Sequence, residues 1–294
     1  MGSELVAGGA SKHFKLPVKI VLSRIRIDNM VSSRTRNGAT MFMKSGVKKD
    51  GTLTAIDFKI YTNTGGYVGS AVNVIGARQD PVNLTLRLNE DGTFNYWSAS
   101  HDMGNGSLTA QTMIMAEVLS INPRIIEPTR VDTETCSWNL GDYASRGVFV
   151  EGYGALKVAE QIKERILEVA SQMYEIDQAK ITIENSQIVA DGKTLGNLGD
   201  IAVYAQRNKI GELIVTQPHE SFAGRTSYGA RFSHVEINKE TGDIKLLDYV
   251  AVHDVGRVIN RMGVEGQLEG GIQMGTGYAL REKMTFDPAT GQLQ

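Results

Sequence analysis

Three stretches of this chain share one plan, in which two strand-forming segments flank a short turn that contains glycine. They are MFMKSGVKKDGTLTAIDFKIYTN (41–63), VNLTLRLNEDGTFNYWSAS (82–100) and SHVEINKETGDIKLLDYVAVHD (233–254). In the second, apolar residues alternate with polar ones from Val82 to Leu88, and the turn follows at Asp91-Gly92. Alternation with a period of two that breaks at an Asp-Gly pair is a strong signal for a β-hairpin. The pattern predicts antiparallel sheets with one face buried against helices.

Other segments repeat apolar residues every three to four positions, which predicts helices. The predicted helices cover 109–119, 153–176, 199–206 and 263–284. Five glycines between Gly263 and Gly275 weaken the last one, since each costs about 1 kcal/mol relative to alanine. Close approach of a ligand and tight packing against another helix both explain these glycines. Hairpins with interspersed helices give an α+β fold, with one region over 1–80 and a second over 81–294.

The composition is that of a folded protein with a balanced charge. Of 294 residues, 41% are hydrophobic and 22% are charged, and the net charge is −2. A charge this small gives no reason to expect a nucleic-acid partner. No apolar run approaches the roughly 20 residues that span a bilayer, and the first residues lack the order of a signal peptide. We therefore predict a cytoplasmic protein without a nucleic-acid or membrane partner.

Residues that commonly ligate metals are sparse. Cys136 is the single cysteine, and the five histidines stand far apart with no i, i+4 pair. One cysteine excludes an intrachain disulfide and a four-thiolate iron–sulfur cluster. Asp132 and Asp254 follow predicted strands, and we expect a cap or an ion pair, such as Asp254 with Arg257, rather than a catalytic acid. No metal ligated by side chains of this chain is predicted.

A Gly104-Asn105-Gly106 turn joins a strand to the helix that continues through Thr109. Such a turn directs backbone N–H groups outward at the positive end of the helix, where an anion binds readily. A dinucleotide fingerprint is a poor explanation, because Thr109 occupies the place of the third glycine and the preceding strand alternates. A purely structural turn remains an equal alternative at this point.

A second loop repeats this arrangement in front of the long helix. Ala144, Ser145 and Gly147 are small, so their N–H groups and the serine hydroxyl can hold an oxygen-rich group. An ordinary helix cap is the simpler explanation of this loop alone. Two such loops, together with the glycine-rich helix that carries Gln267, suit a large cofactor with a phosphate and a polar ring system.

Long segments around these loops resemble one family. They are MGNGSLTAQTMIMAEVL (103–119), VDTETCSWNLGDYASRGVFVEGYGALKVAEQI (131–162) and VAVHDVGRVINRMGVEGQLEGGIQMGTGYALREKM (250–284). They closely resemble the molybdenum-binding subunit of the xanthine dehydrogenase / aldehyde oxidase family. Residues 15–80, with KLPVKIVLSR and KKDGTLTAIDFKIYTNTGGY, resemble an earlier part of that subunit. The resemblance implies an α+β molybdopterin-binding fold.

The resemblance also implies the chemistry of a molybdenum hydroxylase. Such an enzyme inserts oxygen from water at an electron-poor C–H bond of an N-heterocycle or aldehyde, with a glutamate as base. Molybdopterin, rather than the protein, ligates the molybdenum. Electrons leave through iron–sulfur clusters, usually to FAD, and here both are expected on partner subunits only. A second molybdopterin-binding polypeptide and a homo-oligomer are compatible with this assembly.

Carried over by resemblance, Gly104, Asn105 and Gly106 match a glycine–glutamine–glycine loop that contacts the cofactor, with asparagine in place of glutamine. Ala144, Ser145 and Gly147 match the loop for the cofactor phosphate and pterin. Gln267 matches a glutamine that reaches the cofactor from the glycine-rich segment.

Three family features are missing from the printed sequence: a Gly-Phe-Gly loop, a Phe-Arg-Gly segment, and the Gly-Ala-Lys…Gly-Glu region with the base. We therefore expect the glutamate base beyond Gln294 and assign no catalytic residue here. The sequence predicts a truncated or split hydroxylase subunit that is inactive as an isolated chain. A non-catalytic remnant that keeps the fold is the alternative, and a nucleotide-binding module is a third.

Overall fold

The computed structural model describes residues 39–49, 53–62, 80–101, 103–129, 132–139, 141–142, 145–221, 228–283, 285 and 287–290. The strands are β1 (Ala39–Val47), β2 (Leu53–Thr62), β3 (Asp80–Leu88), β4 (Phe94–Trp97), β5 (Ile126–Pro128), β6 (Ile181–Glu184), β7 (Gln187–Ala190), β8 (Lys193–Asn197), β9 (Ile214–Ser221), β10 (Tyr228–Ile237) and β11 (Ile244–Asp254). The α-helices are α1 (Ser107–Leu119), α2 (Arg146–Tyr174), α3 (Leu198–Arg207) and α4 (Arg261–Leu280). Short 3₁₀ helices cover Pro123–Ile125 and Gln178–Lys180.

The chain divides into two compact units, one of residues 1–71 with 276–294 and one of residues 72–275. In the first unit, β1 and β2 form an antiparallel hairpin, as the sequence predicts. Phe42 and Tyr61 meet edge to face across it, with ring centroids 6.1 Å apart. The predicted boundary at residue 80 lies next to residues 63–79, which are outside the described ranges, and it stays a prediction.

The core of the second unit lies between α2 and a four-stranded sheet in the order β5-β4-β3-β9. Strand β3 pairs antiparallel with β4 and with β9, and β5 runs parallel to β4. The alternating leucines of β3 are buried, as predicted, because this face packs on α2. Gly154 permits the close contact, since a Cβ there would lie 2.9 Å from Leu84 Cδ1. The predicted α+β fold is confirmed in this layer.

Beside this layer, β6, β7 and β8 form an antiparallel three-stranded sheet. Helix α3 begins with a capping box, in which Asn197 Oδ1 accepts from the Asp200 N–H while Asp200 Oδ2 accepts from the Asn197 N–H. The reciprocal bonds satisfy two backbone donors and fix the start of the helix.

The β10–β11 hairpin forms as predicted, but its expected burial against helices is not observed. All ten residues of β10 are exposed, and Phe232 retains 63% of its accessible surface. Helix α4 has no buried residue either. A two-stranded ribbon has no covered face unless another layer packs on it. Of the described helices, none combines the length and the apolar character needed to cross a bilayer.

Candidate functional site

The turn before α1 has the backbone conformation that its two glycines favour. Gly104 has φ 88° and Gly106, at the N-cap, has φ 69°. This left-handed region is unfavourable for residues with a Cβ. Asn105 Oδ1 accepts from the Ser107 N–H at 3.1 Å, which steadies the turn, while Gly106 provides no side-chain cap. The start of α1 therefore presents first-turn N–H groups without a cap from its own N-cap residue.

The second predicted loop leads into α2. Ser145 is the N-cap in a left-handed conformation, with φ 58°, and its side chain makes no capping hydrogen bond. Gly147 was predicted before the helix, but it lies in the first turn because α2 begins at Arg146. The apolar period that predicted a start near 153 is interrupted earlier by Arg146 and Glu151, which are polar yet buried. Ala144 lies outside the described residues.

The two helix starts lie side by side. A Cβ built on Gly147 would be 3.1 Å from Ser107 Cβ and 3.9 Å from Asn105 Nδ2. Glycine at position 147 therefore permits the close approach of the Asn105 turn. Ser107 is 1% exposed, and its hydroxyl oxygen has no hydrogen-bond partner among the described residues. An unpaired buried hydroxyl is rare and marks a place where a donor or acceptor is missing.

A third helix start joins them. Asn260 precedes α4, and its Oδ1 accepts from the Gly263 N–H at 3.3 Å. Its Nδ2 lies 3.9 Å from the position of a Cβ on Gly106. Just before it, Arg257 donates to Glu117 Oε1 at 2.5 Å and so ties this segment to α1. Three positive helix ends therefore lie near one another, an arrangement that favours an anion.

Gln267 lies farther along α4, about 10 Å from its start. Its side chain is exposed. Within the described residues no contact joins it to the three helix starts. The glycines near it meet no packing atom either: a Cβ on Gly266, Gly270, Gly271 or Gly275 would have nothing within 4 Å. Neither of the two explanations for these glycines, a close ligand or a close helix, is seen in the described chain.

A buried polar network, which sequence reasoning missed, lies behind the first two helix starts. Gln111 Nε2 donates to the Gly147 carbonyl at 3.1 Å and to Glu151 Oε2 at 2.9 Å. Tyr96 Oη donates to Gln111 Oε1 at 2.5 Å. Gln111, Glu151 and Tyr96 are each 0% exposed. The sequence contained one signal that predicts the burial of Gln111. It precedes Met115 by one helical turn and therefore lies on the apolar face of α1.

Glu151 is also paired with a buried cation. Arg146 Nη1 donates to Glu151 Oε1 at 2.6 Å and to Asn139 Oδ1 at 2.7 Å, and Asn139 Nδ2 donates to Glu151 Oε1 at 2.8 Å. Burial raises the pKa of Glu151, against the lowering effects of Asn139 and Arg146. Burial likewise raises the pKa of Tyr96, so its phenol stays protonated.

An exposed histidine and a buried carboxylate lie near the Gly104 turn. Asp142 Oδ2 accepts from the His101 N–H at 2.6 Å and lies 3.3 Å from His101 Nδ1. The Asp142 side chain is only 5% exposed, and within the described part of the chain its Oδ1 has no hydrogen-bond partner. With Ser107, this makes two unpaired buried oxygens beside the helix starts.

The acidic residues considered from the sequence have structural roles, but the suggested ion pair is wrong. Asp254 Oδ1 accepts from the Gly256 N–H at 3.0 Å, while Arg257 pairs with Glu117. Asp132 Oδ1 accepts from the Glu134 N–H at 2.8 Å. Among the described residues, no cluster of three His, Cys, Asp or Glu side chains is arranged to hold a metal ion. The site is suited to hydrogen-bonding an anion and a polar ring.

Comparison with known proteins identifies a family whose models match this chain. Two models of the molybdopterin cofactor-binding domain match the chain, one over residues 59–294 and the other over residues 1–79. A protein of Escherichia coli strain K12 named probable hypoxanthine oxidase is 30% identical over 227 residues, which cover 75% of this chain and 24% of that protein. The xanthine dehydrogenase molybdenum-binding subunit of Escherichia coli O157:H7 is 28% identical over 239 residues, covering 79% of this chain and 30% of that subunit. This chain thus spans under a third of either relative.

Solved structures give the same picture. Quinoline 2-oxidoreductase from Pseudomonas putida 86 superposes with a TM-score of 0.66 and 27% identity, over 73% of this chain and 28% of that one. CO dehydrogenase from Oligotropha carboxidovorans superposes with a TM-score of 0.66 and 20% identity, over 88% of this chain and 30% of that one. The second likeness concerns the fold alone.

Proposed function

Because the chain belongs to the molybdopterin cofactor-binding domain family, we propose that its three adjoining helix starts hold molybdopterin in a molybdenum hydroxylase. The observation that carries the proposal is the convergence of Gly106, Gly147 and Asn260. Each helix start contributes about half a positive charge. A phosphate carries the opposite charge and accepts several N–H groups at once.

Two features of the site support this fit. Ser107 Oγ and Asp142 Oδ1 are buried and have no partner in the described ranges, and a pterin offers both N–H donors and acceptors that can pair with them. Glycine at position 147 keeps the Asn105 turn close to the start of α2. The proposed cofactor residues are those predicted from the sequence, namely Gly104, Asn105, Gly106, Ala144, Ser145, Gly147 and Gln267.

When bound, molybdopterin supplies the molybdenum at which a C–H bond is oxidised with oxygen from water. Residues of this chain bind and orient the cofactor: the helix starts neutralise its phosphate, and Asn105 presents its amide at the edge of the turn. No described residue is assigned as the base, so a glutamate on another part of the polypeptide or on a partner is proposed for that role. The proposed substrate class is an N-heterocycle or an aldehyde.

We propose further that the active assembly contains polypeptides with iron–sulfur clusters and FAD. A relative named as a molybdenum-binding subunit supports this organisation, as does the exposed apolar surface of the β10–β11 hairpin. A second molybdopterin-binding polypeptide, a homo-oligomer and a cytoplasmic location remain predictions from the sequence.

A matched pair of glycine variants tests the proposal. Gly106 has φ 69° and Gly192, in the β7–β8 turn, has φ 72°, with nothing within 4 Å of a Cβ on Gly192. Gly106→Val and Gly192→Val therefore introduce the same backbone strain, one at the proposed site and one remote from it. Each variant and the wild-type chain are produced together with the proposed partner polypeptides in a host that makes molybdopterin. Molybdenum is measured by mass spectrometry and pterin by fluorescence after oxidative release.

The wild-type chain is expected to contain molybdenum and pterin, and only Gly106→Val is expected to lose them. Equal content in all three proteins would make the Gly104–Gly106 turn purely structural. A wild-type assembly without pterin would contradict the function and favour a non-catalytic remnant, or a nucleotide-binding module if a nucleotide were found instead.

A further inference from the structure

We infer that Gln111 is a positioning residue for the cofactor loops: it holds the first turn of α2 against α1 so that both helix starts face one ligand. The inference rests on the proposed function for the identity of the ligand. Its structural part concerns only the described residues of α1, α2 and β4.

The orientation of the Gln111 amide is determined by its neighbours. Glu151 and the Gly147 carbonyl offer only acceptors, so Nε2 faces them, at 2.9 Å and 3.1 Å. Oε1 then faces Tyr96 Oη, which donates to it at 2.5 Å. A primary amide has two N–H donors, and the two shorter bonds use both of them, while Ser100 Oγ lies at a longer 3.4 Å from Nε2. Reversing the amide would set an oxygen against two acceptors.

The bond to Gly147 links the network to the site. Gly147 lies in the turn of α2 that contacts Ser107 and the Asn105 turn. A change at Gln111 therefore reaches the proposed site through one backbone carbonyl, without any contact between Gln111 and the ligand. Glu151 holds the second N–H of the amide and is itself held by Arg146 and Asn139. This arrangement gives Gln111 a single orientation inside the core.

The test compares two substitutions in α1. Gln111→Met keeps a similar volume but removes both donors, while Met115→Ala creates a cavity one turn farther along and leaves the Gln111 bonds in place. Met115 is 0% exposed, so Met115→Ala lowers global stability as a matched control. Hydrogen–deuterium exchange of residues 150–153, whose N–H groups bond to the first-turn carbonyls of α2, is measured well below the melting temperature, together with the pterin content of each assembly.

With Gln111→Met, exchange at 150–153 should rise about tenfold, as expected when one buried hydrogen bond is lost, and pterin content should fall. With Met115→Ala, exchange at 150–153 should stay near wild type. Should Gln111→Met fail to fold, Gln111→Asn shortens the amide by one methylene, keeps its polarity and should give the same local effect.

Equal exchange at 150–153 in wild type and the Gln111 variants would overturn the positioning role. Altered exchange with unchanged pterin content would overturn its link to the cofactor. A wild-type assembly without pterin would contradict the proposed function instead, while the exchange measurement would still decide the structural part.

Discussion

The layer formed by α2 and the β3-centred sheet contrasts with the β10–β11 hairpin in how each treats apolar residues. Leu84 and Ile162 are 0% exposed, whereas Phe232 and Val252 retain 63% and 60% of their surface. The β3–β4 and β10–β11 pairs were both predicted from strand-forming segments on either side of a glycine-containing turn. Among the described elements, a helix packs on one face of the first pair, through the contact of α2 with β3.

The contrast separates a part of the chain that packs on itself from a part whose apolar side chains are exposed. The α2 layer buries its own apolar side chains, so its stability is internal. A two-stranded ribbon alone is only marginally stable in water. A further layer of protein that covered its apolar face would stabilise it. The relatives are three to four times longer than this chain's match to them, which is consistent with covering layers in the longer proteins.

The largest expected effect separates a buried ion pair from an exposed one. Glu151→Ala removes the carboxylate that pairs with the buried Arg146 guanidinium, which should cost about 3–5 kcal/mol of unfolding free energy. Arg257→Ala breaks an exposed pair with Glu117 and should cause little change. Chemical denaturation of both variants measures this difference. A similar loss of unfolding free energy from both variants would mean that the exposed Arg257–Glu117 pair contributes as much to folding as the buried Arg146–Glu151 pair.

The next effect compares two apolar truncations. Leu84→Ala should destabilise the chain by about 3 kcal/mol, because it opens a cavity against α2. Phe232→Ala removes an exposed ring and should change the unfolding free energy by less than about 0.5 kcal/mol. If Phe232→Ala instead lowered the unfolding free energy by about 2 kcal/mol or more, as truncation of a buried side chain does, the hairpin would be packed in solution.

A smaller effect concerns association. Phe232 pairs with Val250 across the hairpin, and Val252 lies two residues farther along β11. Phe232 and Val252 are therefore on the same face of the ribbon. Phe232→Ser combined with Val252→Thr should reduce self-association of the isolated chain, with an unchanged melting temperature. Light scattering over a concentration series measures association. Leu108→Ser on α1, which is packed against the core, is the control that should lower the melting temperature.

The smallest effect is a pH dependence from Glu151. Burial raises its pKa above the ordinary 4.5, so the folded protein binds this proton more tightly than the unfolded chain does. Between the ordinary and the raised pKa, its contribution to stability therefore falls as pH rises. Glu151→Gln has no such proton, so its stability deficit relative to wild type should grow as pH is lowered from neutral toward 4.5. A deficit that shrinks on acidification would mean that Arg146 and Asn139 outweigh burial.

The sequence predicted the elements well where a single local signal decides them. The β3–β4 hairpin follows from its alternating leucines and Asp91-Gly92, and the turn before α1 from Gly104 and Gly106. The start of α2 was missed, because Arg146 and Glu151 interrupt the apolar period although both are buried. Their burial is favourable only because Asn139 and Gln111 pair with them across 7 to 40 positions of sequence.

The rest of the site depends on relations that a linear pattern does not contain. The approach of Asn260 to Gly106 joins elements more than 150 residues apart, and no spacing rule predicts it. The exposure of the hairpin also could not be read from its alternation, because alternation states which face is apolar and not what covers it.

A site built from three helix starts is tested by a map of hydrogen exchange with and without molybdopterin. The cofactor should slow exchange at three segments together, 104–109, 145–149 and 260–264, and leave the β6–β8 sheet unchanged. Protection confined to one of these segments, or spread evenly over the whole chain, would contradict a site built from three adjoining helix starts.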